Sequence, residues 1–170
     1  MDTIGSNYLT SVGKLLVYYK GMAEKAIAQI NDTHLHWQYN AETNSIATIM
    51  NHIAGNSLSR WTNFMTEDGE KPWRNRDGEF EDSAATRQEL LAFWNRGWQC
   101  MLDALSSLSE NDLLYTIYIR KEPHTVMEAI NRSLAHLSSH VGQIIYIGKM
   151  AADDWKALTI AKGKSGEFKV

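Results

Sequence analysis

A single cysteine, Cys100, in a chain of 170 residues rules out an internal disulfide and leaves no second thiolate to share a metal with it. Read locally, it is a small helix residue beside Met101 that packs rather than reacts. Prolines number only two, so no proline-rich linker divides the chain, and 44% hydrophobic residues suit one mostly helical domain, residues 1–170, around a single core. No apolar run reaches the roughly 18 residues that spanning a bilayer requires, so no membrane role is expected. The opening MDTIGSNYLTSVGKLL lacks the basic start and apolar stretch of a secretory signal, and the expected location is the cytoplasm. A net charge of −3, a pI near 6.1 and scattered basic residues give no electrostatic footprint for nucleic acid.

What is present is helical periodicity. From about Asn7 to Gln29, the residues Tyr8, Val12, Leu15, Tyr19, Met22 and Ala26 recur at spacings of three and four, an amphipathic first helix. After the irregular NDTHLHWQYNAET, Asn44 or Ser45 offers an N-cap for a second helix to about Met65, with Ile46, Ile49, Met50, Ile53, Trp61 and Phe64 as its stripe. TEDGEKPWRNRDGEFED has almost no periodicity; a loop over 66–82 is long for a compact domain and is either functional or forced by topology. A third helix is predicted from about Ser83 to Leu108 on Leu90, Trp94, Trp98, Met101 and Leu105, where Trp94 and Trp98 can serve a core or a dimer interface. LLYTIYIRKEPHT alternates weakly, as a short hairpin would, and Thr125-Val-Met-Glu128 has the form of a capping box opening a fourth helix to about Met150. Beyond it Trp155 and Leu158 are expected to dock on the body and GKSGEFKV to be loosely held. Four helices of these lengths have the proportions of a four-helix bundle, and the long loop lets the second and third run parallel, which makes one crossover.

The fourth helix carries the chemistry. His136 and His140 in SLAHLSSHVGQI are four residues apart, so both imidazoles share one face a turn apart, the spacing by which two nitrogens reach one ion. The spacing alone is a weak signal, but both project well away from the middle of the apolar stripe and are not ordinary core residues. A third ligand must come from elsewhere, and His52 in TIMNHIAGN is the best candidate. It begins a polar row with Asn56 and Arg60; the fourth helix has a matching row of Glu128, Arg132, His136 and His140. Periodicity favours a solvated surface for the first row, and the alternative is a groove shared by both. His34, His36 and His124 are expected to be exposed.

With these segments in view, the chain resembles the DinB superfamily of four-helix metalloenzymes. More narrowly, NHIAGNSLSRWTNFMTEDGEKPWRNRDGEF is similar to the hallmark stretch of its branch of uncharacterised proteins of this length, and the likeness covers nearly the whole chain. The resemblance implies an all-α bundle with up-down-down-up connectivity and a long crossover between helices two and three, often as a homodimer. It also implies a divalent metal held by one histidine of the second helix and the His-x3-His pair of the fourth, which here are His52, His136 and His140. Better-understood relatives are thiol S-transferases and isomerases that use a low-molecular-weight thiol, and others are labelled hydrolases; the fold does not choose between them.

Three imidazoles leave an ion with open positions, a catalytic rather than a closed arrangement, and do not distinguish zinc, nickel, iron and manganese. The leading expectation is attack of an ion-activated small thiol on an electrophilic small molecule, with Arg60 or Arg132 either holding a carboxylate or serving as surface ion-pair partners. The rival keeps the ion and activates water for hydrolysis, for which Glu70, Asp77 or Glu79 of the long loop would offer a base, although turn formation explains them equally well. A third reading is a non-catalytic dimeric module.

Overall fold

In the computed structural model, which describes residues 3–81 and 84–167, helix predominates and the β-structure among the described residues is one antiparallel pair. Four long helices span Ile4–Ile27 (α1), Ile46–Trp61 (α3), Arg87–Ser106 (α4) and Val126–Ala151 (α5), and a single turn, Asp32–Leu35 (α2), lies in the first connection. Thr116–Ile119 (β1) pairs with Glu122–Thr125 (β2) as the short hairpin that the weak alternation predicts. No helix among the described residues is long and apolar enough to cross a membrane.

Caps decide where the helices begin. Thr3, Ser45, Thr86 and Thr125 each accept a backbone N–H of the first turn, and Thr3, Thr86 and Thr125 close capping boxes with Ser6, Glu89 and Glu128. The Thr125 box lies where the sequence places it. The Thr86 box starts α4 later than the predicted Ser83, which lies outside the described residues. Helix α3 stops at Trp61 rather than Met65 because Asn63 adopts φ 47°, a left-handed conformation that ends a helix.

Packing joins α1 to α5 and α3 to α4, with further contacts from α3 to α5 and from α1 to α4. Trp94 and Trp98 are wholly buried with ring centres 5.4 Å apart, so they belong to the core and not to an interface. Each burial contributes roughly 3 kcal/mol. On α1, Leu16 faces inward and Leu15 outward, a small rotation from the predicted stripe. Helix α3 is buried nearly all round, because α4, α5 and a 3-10 turn at Asp77–Phe80 surround it. At the C-terminal side Trp155 lies against Gly148 and Gln29 bonds to the Lys156 backbone, while Leu158 packs on the core. Of the predicted loose tail, 168–170 lie outside the described residues.

The long loop is tied down at both edges. The hairpin turn Arg120-Lys121 has φ 56° and 66°, a left-handed pair that a tight hairpin ordinarily assigns to Asn-Gly. The Asp68 carboxylate offsets that strain by accepting both backbone N–H groups, at 2.9 and 2.7 Å, and Gly69 N–H donates to Tyr118 O at 2.8 Å. On the other side Ser59 Oγ donates to Gly69 O and accepts from Lys71 N, both at 3.0 Å, which fastens the loop to α3.

Helices α3 and α4 approach closely at Gly97, where an added Cβ would stand 2.6 Å from Ala54 Cα. Gly97→Leu is therefore expected to lower stability by about 2–3 kcal/mol even after the ~1 kcal/mol that a helix gains on losing glycine. Chemical denaturation measures it, and an unchanged midpoint would contradict the close crossing.

Candidate metal centre

Helices α3 and α5 bring His52, His136 and His140 together, with one ligand atom of each within 4.8 Å of the others. His52 is 5% exposed, contrary to the solvated surface that periodicity favoured. The reason is tertiary: the face of α3 lying off its main apolar stripe is covered by α5 and by the 3-10 turn rather than by water. The two polar rows do share one groove, of about 180 Å³, lined by His52, Asn56 and Arg60 from one helix and Arg132 and His136 from the other. Glu128 is instead occupied in capping α5.

Proton positions follow from the partners. His52 Nδ1 lies 3.0 Å from Glu79 Oε2; a carboxylate only accepts, so Nδ1 carries the hydrogen and the lone pair of the neutral ring is at Nε2. His140 Nδ1 donates to Gln143 Oε1 at 2.8 Å, which leaves its Nε2 bare as well. Both of these Nε2 atoms lie 3.1 Å from Nε2 of His136. A single proton on His136 can answer only one of two facing lone pairs, so one close nitrogen pair is left with no hydrogen between its members.

A cation resolves that conflict. An ion about 2.1 Å from each nitrogen sets cis-octahedral neighbours about 3.0 Å apart and tetrahedral ones about 3.4 Å apart, values that bracket the two 3.1 Å spacings to His136, while the third pair lies within 4.8 Å. The donor set therefore fits a divalent ion. Carboxylate and carbonyl partners on the far nitrogens are the usual supports of metal-binding imidazoles. Burial, then the neighbouring His140 and His52, lowers His136 from its ordinary 6.5 to about 3, and burial also lowers His140. Both are neutral at physiological pH, the form that binds metal.

Glu79 is the residue the sequence could not single out. It is 9% exposed and takes a two-bond grip from Arg74, Nε to Oε1 at 2.7 Å and Nη2 to Oε2 at 2.8 Å, besides the bond from His52. Burial alone would raise its carboxyl, but the bonds from Arg74 and then His52 outweigh this and hold it below the ordinary 4.5. Gly55, one turn beyond His52, makes room for it: a Cβ there would lie 2.2 Å from Oε1. Phe80 covers His52, with ring centres 4.6 Å apart. Of the other loop acids, Glu70 pairs with Arg120 and Arg74, and Asp77 is exposed.

The remaining histidines are less exposed than expected. His36 is half-buried and its Nε2 bonds the Ala85 carbonyl at 3.0 Å, because buried Leu35 seats this connection on the core. His34 and His124 are also half-buried. Cys100 is half-buried, 3.5 Å from the Thr62 hydroxyl and on another face of the molecule from the histidines.

Fold and cluster together define a predominantly helical protein with three histidines converging between two helices. Residues 3–164 match the model of a family described as "Protein of unknown function (DUF1572)", and the chain belongs to that family. No curated protein matches it.

The depressed histidines predict a pH dependence. In the metal-free protein the unfolded chain takes up protons below pH 6.5, whereas folded His136 resists them until about pH 3. The unfolded state therefore binds more protons throughout that window, and folding stability falls as pH drops through it. Denaturant midpoints of the metal-free protein at several pH values measure the slope, and His136→Leu is expected to flatten it; parallel slopes for the two proteins would contradict the assignment.

Proposed function

We propose that this protein is a divalent-metal-dependent enzyme of the DinB type, its ion held by His52, His136 and His140, that joins a small thiol to an electrophilic substrate. The observation that carries the reading is the convergence of the His52 and His140 lone pairs on His136 Nε2 at 3.1 Å each. In this reading α1, α3, α4 and α5 form the up-down-down-up four-helix bundle, with the loop before α4 as its crossover, and the working form is a homodimer.

A divalent ion in this site supplies the Lewis acidity that lets a thiol shed its proton near neutral pH. The chain supplies position. Glu79 and Gln143 hold two imidazoles with their lone pairs inward, and Phe80 keeps water from one side of His52. Arg60 and Arg132 line the adjoining groove, where they receive the anionic part of the thiol or of its partner. The thiol loses its proton to solvent, its sulfur bonds to the electrophilic carbon, and the leaving group departs with the bonding electrons.

The engagement of Glu79 and Glu70, the two less exposed of the three loop acids, favours thiol transfer over hydrolysis. A hydrolase would benefit from a carboxylate free to take a proton from water. Here both oxygens of Glu79 are occupied, and Glu70 is paired with guanidinium groups.

Two measurements test the reading. Protein purified without an affinity tag is expected to bind about one equivalent of zinc, nickel, iron or manganese, and Glu79→Gln to weaken that binding by about 10–100-fold through loss of the bond that orients His52. Failure of all four ions to bind on titration would sink the proposal. Metal-loaded protein incubated with an electrophile and a panel of small thiols is expected to form a conjugate that disappears in His136→Ala. Cleavage of esters or amides with no thiol dependence would instead establish the hydrolase.

A further inference from the structure

The groove beside the histidines gathers positive charge from four separate parts of the chain: Arg60 from α3, Arg76 from the long loop, Arg120 from the hairpin turn and Arg132 from α5. The acids nearby are already committed. Glu70 pairs with Arg120 at 3.0 Å and with Arg74 at 3.8 Å, Glu79 is gripped by Arg74, and Asp68 accepts the backbone N–H groups of Arg120 and Lys121. Among the described residues Arg60, Arg76 and Arg132 have no carboxylate partner within ion-pair distance.

Arg60 is the most telling of the four. It is 7% exposed, and its Nη1 is buried with no hydrogen-bond partner. Burial first, and then Arg132, Arg74 and Arg120, lower this guanidinium from its ordinary value to about 10, with Glu70 opposing them. A buried cation beside three exposed ones, Arg76, Arg120 and Arg132, is a costly arrangement for folding alone, since an unpaired buried charge forfeits its hydration. Asn56 and Ser133 add neutral polar groups to the same walls, and Ile119 closes one side.

From this we infer that the groove is the receptor for a small polyanion, a molecule bearing at least two negative charges as phosphate or paired carboxylates, with Arg60 and Arg132 as its principal contacts. The inference rests on the metal-site reading only for its place in the reaction; the binding itself does not. Arg132 lies one turn from His136 and Arg60 two turns from His52, and both of those histidines line the groove, so an anion held here places the rest of its molecule beside them. A volume of about 180 Å³ holds a phosphate or a four-carbon dicarboxylate. Planar guanidinium groups suit oxyanions, which they can grip through two parallel bonds.

Calorimetry with inorganic phosphate, pyrophosphate, succinate and acetate tests the inference, on protein as purified and after divalent metal is stripped with the neutral chelator 1,10-phenanthroline. A dianion is expected to bind the stripped protein at one site at least about tenfold more tightly than acetate, and the order of the phosphates against succinate tells which oxyanion the natural ligand carries. Arg132→Gln and Arg60→Met are each expected to lose at least about tenfold, the loss of a charge-assisted hydrogen bond. Arg60→Met should also raise the melting temperature of the ligand-free protein. Equal binding of succinate, pyrophosphate and acetate, or dianion binding that depends on metal and survives both substitutions, overturns the inference. Zinc titration of the same samples keeps the two readings apart: zinc affinity without dianion binding refutes the groove alone, and dianion binding without zinc affinity refutes the metal site alone.

Discussion

Glu79 holds the site together. Its buried carboxylate accepts two bonds from Arg74 and one from His52, so a single side chain joins the long loop to α3 and sets which nitrogen of His52 carries the proton. Such a cluster contributes less to stability than its Coulomb energy suggests, because both charges lose water, but losing either partner leaves the other stranded at a cost of about 3–5 kcal/mol. That asymmetry makes the arrangement hard to relax piecemeal. Space for it exists only because position 55 is glycine, where any side chain would meet the carboxylate.

Two consequences spread outward from that contact. With Arg74 turned onto Glu79, the loop presents Arg76 to the groove and Phe80 to the outer face of His52. Asp68 at the start of the same loop holds the left-handed Arg120-Lys121 turn, which delivers Arg120 to the groove from the opposite side. The 66–81 segment thus supplies both the support for the histidine cluster and part of the cationic wall beside it. Its length, unusual for a compact fold, is explained by these two tasks.

Histidine cluster and arginine groove are the same solution seen from two sides. In the first, burial and mutual proximity keep His136 free of a charge-giving proton; the second leaves the buried Arg60 guanidinium without a partner for its Nη1. Each is unfavourable for the empty protein and favourable once a cation and an anion are bound. Such locally costly arrangements concentrate where binding or catalysis occurs.

Much of this was legible in the sequence. The helical periodicities, the Thr125 capping box, the hairpin and the i, i+4 relation of His136 to His140 all depend on residues near one another in the chain, where spacing translates directly into geometry. His52 could be nominated, by its row and by resemblance, but its direction could not be read: periodicity counts apolar residues on one helix and is blind to a polar face covered by other elements. Nor could the loop acids be told apart, since Glu70, Asp77 and Glu79 all sit in turn-rich sequence, and the choice among them depends on the close packing at Gly55 and on where Arg74 lies once the loop has folded back. The chain alone determined which elements form and which residues could carry the chemistry. Only the tertiary structure decided that His52 and His140 each meet His136 at 3.1 Å and that Nη1 of the buried Arg60 is left without a partner, because both depend on the relative placement of α3, α5, loop and hairpin, and that placement is set by packing between distant segments.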